Sequence, residues 1–302
     1  MNKRAFKAVW QHRHYYILLL PAFIYVALFN YGPMYGIQIA FKDYKSILGF
    51  LGSPWVGFKH FTNFFNSYYF FLLFRNTLVI SLYSMVAGFP IPIVLALIIN
   101  EFKETRLRKS VQTVLYAPHF ISIVVLVGMI NTMFSPSMGI FNHLREWLGF
   151  DRLYFMIMPE AFRHLFVWSG VWQHMGWSSI IYVAALSTVD PELHEAARID
   201  GASRMQRILR INLPTIKPTI IILLIMSIGS LISVGYEKIY LLQNTLNTEV
   251  SEVISTYVYK RGVLNTNYSF ATAVGLFNNV VNVVLLVFAN SLSGRISQTS
   301  LF

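Results

Sequence analysis

Long apolar runs separated by short polar stretches set the pattern of this chain. Six runs, near 16–39, 76–99, 112–134, 165–188, 219–242 and 271–293, each approach the length needed to cross a bilayer core. Inside hydrocarbon only a helix pairs every backbone N–H and C=O within its own segment, so the pattern predicts six transmembrane helices. Pro90, Pro92 and Pro118 are expected to kink these helices or mark their ends. The first run is too long for a removable signal peptide, and no small-residue cleavage site follows it. No low-complexity tract or soluble domain interrupts the runs, so residues 1–302 read as a single membrane domain.

One polar segment breaks the rhythm. Residues 190–214, DPELHEAARIDGASRMQRILRINLP, lie between the fourth and fifth runs. Asp190 followed by Pro191 is a helix start, and Glu192 and Glu195 suit the positive end of the helix dipole. Asp200-Gly201 allows a sharp turn. Met205, Ile208 and Leu209 then recur at helical spacing, with Arg204, Arg207 and Arg210 on another face. Pro214 is expected to end this second helix. The segment thus predicts helix, turn, helix, lying along the membrane. Small Ala196 and Ala197 would let the first helix sink into a partner's groove, whereas the arginines equally suit an anionic lipid surface.

Composition supports the membrane reading. Of 302 residues 55% are hydrophobic and only 12% charged, half the usual quarter of a soluble domain. Fourteen of the 24 lysines and arginines, among them Lys3, Arg4, Lys7, Arg13 and Lys103, fall at the N-terminus, the even-numbered loops and the C-terminus. Their density there predicts that both termini and the 190–214 segment are cytoplasmic. The net charge of +11 then needs no nucleic-acid partner. The first outer loop, KDYKSILGFLGSPWVGFKHFTNFF, carries Trp55, Phe58, Phe61, Phe64 and Phe65. They read as an aromatic belt at headgroup level, or as a docking surface for an external partner.

Enzyme chemistry finds no support. There is no cysteine, no GxxxxGK[ST], no HExxH and no GxSxG, and the eight histidines are scattered without metal-ligand spacing.

The quoted segment resembles the EAA loop of binding-protein-dependent ABC importer permeases. Glu195-Ala196-Ala197, Asp200-Gly201-Ala202 and Ile211-x-Leu213-Pro214 carry the resemblance. It implies the six-helix type I permease fold, with the loop as a coupling helix seated in a cytoplasmic ATPase. Further stretches, LLPAFIYVALFNYGPMYGIQIAFKDY, GSPWVGFKHF, YEKIYLLQN, STYVYKRG and YSFATAVGLFNNVVNVVLLVFAN, resemble the sugar-importer permeases of the subgroup named for LplB and YteP. The implied function is import of oligosaccharides, including uronate-containing ones, through a bacterial plasma membrane. The implied partners are a second homologous permease, two ABC ATPases and an extracytoplasmic solute-binding protein. ATP and Mg would sit on the ATPases, leaving this chain without a cofactor. It departs from larger maltose permease subunits in having six helices and no large insertion.

For the sugar, the fourth run carries WSGVWQHMGWSSIIY, rich in aromatic and polar residues for a span. Aromatic faces stack on sugar rings, and hydroxyls need hydrogen-bonding partners. The resemblance to maltose-type permeases puts Trp172, His174 and Trp177 at sugar-contacting positions, and Ser230 and Ser233 on the next span. Serines also join transmembrane helices and tryptophans also anchor them, so these remain open. Glu237 and Lys238 are costly near a span end unless they meet water, a cavity or each other. Lys238 or His174 could meet a uronate carboxylate. Asn278, Asn279 and Asn282 are expected to face the interior of the last span. Rival readings are an importer of a non-sugar solute, a secondary transporter, or a scaffold whose polar loop lies on lipid.

Overall fold

A computed structural model describes residues 11–102 and 104–297. Lys3, Arg4, Lys7 and Lys103, used above for orientation, lie outside the described residues. Among the described residues the chain is helical, with no strand and one isolated bridge, Lys42 to Trp55. It divides into two compact units, one of residues up to Phe65 with Arg261–Leu276, the other of Asn66–Lys260 with Phe277 onward.

The first unit begins with α1, Arg13–Val26, which continues through a π-turn at Ala27–Tyr31 and a 3-10 stretch at Gly32–Phe41. No residue of α1 is buried despite its apolar sequence. The aromatic loop that follows folds on itself. Phe41 meets Phe58 edge to face and Phe61 at a tilt, and Phe64 is buried. Lys42 is buried too: its Nζ donates to the Phe50 carbonyl and lies 4.7 Å from the Trp55 ring. Trp55, Phe58 and Phe65 remain exposed.

In the second unit α2, Tyr69–Gly88, runs into α3, Pro90–Asn100, through Phe89, whose backbone is helical. Pro90 and Pro92 sit in the first turn of α3, just after the one-residue interruption at Phe89, where proline is tolerated, and the two segments together make a 32-residue span. α4, Thr105–Tyr116, passes through a 3-10 turn at Ala117–Phe120 to α5, Ile123–Met133. The chain bends by 97° there, so the third predicted span is not a straight helix. Pro118 opens the corner, and Ser122 caps α5 by accepting the Val125 N–H.

α6, Pro159–Leu186, is the 28-residue helix of the fourth predicted span. α7, Pro191–Ile199, begins the polar segment, and α8, Leu213–Gly229, follows it. The fifth predicted span stops at Gly229: residues 230–235 are irregular, and α9, Tyr236–Leu242, is a separate short helix. Asn282 repairs the break by accepting the Ile232 N–H (3.1 Å) and donating to Ser233 Oγ (2.7 Å). The last run is α10, Tyr268–Ser297.

Four helices among the described residues are long and apolar enough to cross a membrane, or five if the bent α4–α5 pair counts as one span. Six straight spans are thus not found. The difference comes from the corner at Pro118 and the polar residues of α6; the fifth predicted span still qualifies, as Arg204–Gly229, although it ends early. Apolar clusters pack within this unit. Ile80, Leu126, Val127, Ile130, Phe162, Ile239, Leu242 and Val253 form one, and Ala96, Tyr182, Leu186 and Ile216 another.

Candidate functional site

The polar segment 190–214 is built almost wholly from its own neighbours. Asp190 Oδ1 accepts the Glu192 N–H (2.9 Å), capping α7. At the other end Gly201 takes φ +78°, its N–H reaches the Arg198 carbonyl, and the Ala202 N–H reaches Ala197 (2.8 Å). These two bonds make a Schellman end, which a side chain at Gly201 would strain. Ser203 and Gln206 then form a reciprocal capping box that starts the helix at Arg204–Arg207. Arg207 is buried rather than spread on a lipid-facing side, and its Nη1 donates to the Ala202 carbonyl (3.0 Å). The guanidinium thereby ties the second helix back to the turn.

Pro214 does not end that helix. Ile208–Asn212 forms a π-turn, with the Leu213 N–H on Ile208 O, and the chain continues into α8. The wider turn supplies room ahead of the proline ring. Glu195, Ala196 and Asp200 are exposed, Ala197, Ala202, Ile211 and Leu213 partly so, and Pro214 is exposed. Leu193, Ile199 (87% exposed) and Met205 present apolar side chains beside them.

The second candidate region is the middle of α6. Its residues do not all share a face. At roughly 100° per residue, His174 and Trp177 lie near one another, while Trp172 points about 140° away from Trp177. Trp177 lines a cavity of about 950 Å³ with Ser230, Ser233, Ser178 and Tyr182. His174, Glu237 and Lys238 line an adjoining one of about 500 Å³. Trp172 lines a third, apolar cavity of about 770 Å³ with Met129, Met133 and Trp168. There Trp168 Nε1 donates to Tyr83 Oη (2.9 Å), which is 2.8 Å from His164 Nδ1.

Lys238 is 8% exposed. It makes no ion pair with Glu237, which is exposed; its Nζ donates to the Phe166 carbonyl (2.8 Å) and lies 4.8 Å from the Phe166 ring. Gly170 gives the ammonium room, since a Cβ there would stand 3.2 Å from Nζ. Ser230 Oγ is turned back onto the Met226 and Ser227 carbonyls of its own helix. Of the asparagines of α10, Asn282 serves the break after Gly229, while the buried Oδ1 of Asn278 has no hydrogen-bond partner among the described residues.

One residue of this region was not anticipated. His119, at the 97° corner, stacks on Trp177 with centroids 4.4 Å apart and planes at 4°, and its Nδ1 is 3.2 Å from His174 Nδ1. A histidine beside Pro118 inside an apolar run was the available signal. Outside the apolar segments, Arg152 bonds Glu146 (2.7 Å) and holds that exposed carboxyl below its usual range.

Residues 88–298 match the model of the family described as binding-protein-dependent transport system inner membrane component. The polygalacturonan/rhamnogalacturonan transport system permease protein YteP of Bacillus subtilis is 42% identical over 301 residues, covering 100% of this chain and 94% of YteP. Protein LplB of the same organism is 42% identical, over 95% of this chain and 90% of LplB. A crystal structure of a bacterial alginate ABC transporter, in complex with alginate pentasaccharide-bound periplasmic protein, contains a chain 43% identical. It superposes with a TM-score of 0.90 over 99% of this chain and 100% of that one. The chain belongs to the family of inner membrane components of binding-protein-dependent transport systems, permease subunits that carry solute without catalysing a reaction.

Proposed function

We propose that this chain is one of two permease subunits of an ATP-driven importer of uronate-containing oligosaccharides. A second, homologous permease completes the pathway, two ABC ATPases bind ATP and Mg on the cytoplasmic side, and an extracytoplasmic binding protein delivers the sugar. Both termini and residues 190–214 face the cytoplasm, in keeping with the density of lysine and arginine. Glu195, Ala196, Ala197, Asp200, Gly201, Ala202, Ile211, Leu213 and Pro214 form the coupling element. The exposed alanine and the apolar Leu193, Ile199 and Met205 suit insertion into a cleft of an ATPase better than contact with lipid headgroups alone. ATP-driven closure shifts the two permeases between rigid-body arrangements that open the pathway to opposite sides.

The observation that carries the acidic-sugar reading is Lys238: a nearly buried ammonium that lines a cavity with His174 and is hydrogen-bonded to a backbone carbonyl, with no ion pair among the described residues. A carboxylate is the ligand such a cation favours. Trp177, Ser230 and Ser233 supply a ring face and hydroxyls for the sugar itself. The similarity to YteP and to the alginate transporter chain supports the same class.

Two experiments test the proposal. In a tagged pull-down from native membranes, wild type should recover an ABC ATPase and a Glu195→Lys, Gly201→Asp double variant should lose it. No ATPase with intact wild-type protein would sink the importer reading. In uptake assays, Lys238→Gln and His174→Gln should impair import of an oligogalacturonate or alginate pentasaccharide. Unchanged uptake would remove the acidic-sugar assignment.

A further inference from the structure

The segment 190–207 is braced within itself by the Schellman end, the capping box and the Arg207 clasp, so it moves as one piece. Its joint to α8 is different. Asn212 closes the π-turn at Ile208–Asn212 and is 0% exposed, yet neither its Oδ1 nor its Nδ2 has a hydrogen-bond partner among the described residues. One turn further on, Ile216 belongs to the apolar cluster with Ala96, Tyr182 and Leu186, so by helical spacing Asn212 shares the face that leads into that cluster. Asn76, Asn142, Asn247 and Asn282 are comparably buried, and each is hydrogen-bonded. A buried amide without a partner destabilises the arrangement that holds it, and an apolar side chain of similar shape would not.

The π-turn offers the matching alternative. The Leu213 N–H bonds Ile208 O here, and moving it to Leu209 O would tighten the coil to an α-turn. α8 is already α-helical and Pro214 has no N–H to re-register, so the shift has nothing to change beyond Leu213. The change is thus confined to the elbow between the braced loop and the span.

Resting on the coupling role proposed for the loop, we infer that Asn212 is a further coupling residue and that Ile208–Asn212 is the two-state joint. The amide is unpaired in the arrangement described here and gains partners when ATP-driven closure pulls the loop and retightens the turn. Unpaired, it tilts the equilibrium away from the present arrangement; paired, it stabilises the other.

The test uses the full transporter purified in nanodiscs, wild type against Asn212→Leu and the smaller Asn212→Val. Two quantities are read: thermal unfolding, and hydrogen exchange across residues 208–216 with and without ATP plus vanadate. Wild type should change exchange at the elbow by about tenfold on nucleotide binding, the shift expected of one amide changing partners. The variants should melt no lower than wild type and lose that change. Variants that melt lower would show an amide satisfied in the resting arrangement, and variants that keep the wild-type response would show an elbow independent of Asn212. Either overturns the inference. Wild type that carries no ATPase removes the coupling role itself, and is distinguished by the composition of the purified assembly.

Discussion

The polar loop and the middle of α6 both turn on a glycine, and the two glycines are there for opposite reasons. Around Gly201 there is open space for a Cβ, but φ is +78°, a conformation in which L side chains are strained. Gly176 sits in a regular helix, yet a Cβ there would collide with the backbone carbonyl of Leu115 on α4. Gly201 answers to its own chain, and Gly176 to a residue about sixty positions away. The loop is accordingly a local structure that can be seated in a partner, whereas the α6 region exists only when distant segments have come together.

The largest expected effect breaks the second kind. Gly176→Val should cost about 3 kcal/mol or more, because the colliding atoms are backbone and have no rotamer to escape into. Thermal unfolding in detergent should show loss of the folded permease. A wild-type melting temperature would mean that α4 and α6 are not held at this distance.

A smaller effect follows at the loop. Gly201→Ala should cost about 1–2 kcal/mol through backbone strain alone, and Gly201→Asn less, since asparagine visits this region more readily. Both should weaken ATPase recovery more than they lower the melting temperature. Equal losses for Ala and Asn would argue that a contact, and not φ, sets the requirement.

The same contrast explains what could be read from the sequence. Asp190-Pro191 and Asp200-Gly201 are signals between near neighbours, and the first helix and its turn formed as their spacing indicates, with Glu192 but not Glu195 in the first turn. Ser203 and Gln206, a capping box three residues apart, were missed although their signal is of the same near-neighbour kind. The break after Gly229 was not, because the run stays apolar through Ile232 and Val234 and the group that satisfies the broken backbone, Asn282, is fifty residues on. Pro118 announced a kink but not a 97° corner. The placement of Trp172, His174 and Trp177 as one set ignored helical phase, which turns Trp172 into another cavity. Pro214 was read as a stop because the π-turn that accommodates it has no sequence signature of its own.

Within the loop, Ser203→Ala should cost about 1 kcal/mol, the worth of an N-cap. It removes the bond to the Gln206 N–H and leaves the Gln206 side chain with only half of its reciprocal pair. Circular dichroism will not resolve four residues, but exchange at Gln206 and Arg207 should quicken while α6 is unchanged. Matching changes in both regions would contradict the independence of the loop.

The last expected effect, similar in size to that of the cap, concerns His119. Its imidazole lies flat on Trp177 and meets His174 edge to edge, so it holds the indole in a fixed attitude toward the cavity lined by Ser230 and Ser233. An aromatic stack of this kind contributes about 0.5–1.5 kcal/mol. If Trp177 is a sugar platform, His119→Ala should raise the KM for oligosaccharide uptake between about twofold and tenfold with little change in kcat. His119→Phe keeps a ring on the indole and discards only the hydrogen bond to His174, so it should restore most of the affinity. Equal damage from the two variants would assign the role to the hydrogen bond, and no damage from either would mean that Trp177 needs no backing. A fall in kcat at constant KM would place His119 with the moving corner at Pro118 rather than with the sugar. That last outcome would erase the contrast between the regions, because the pathway would then carry a coupling joint of its own.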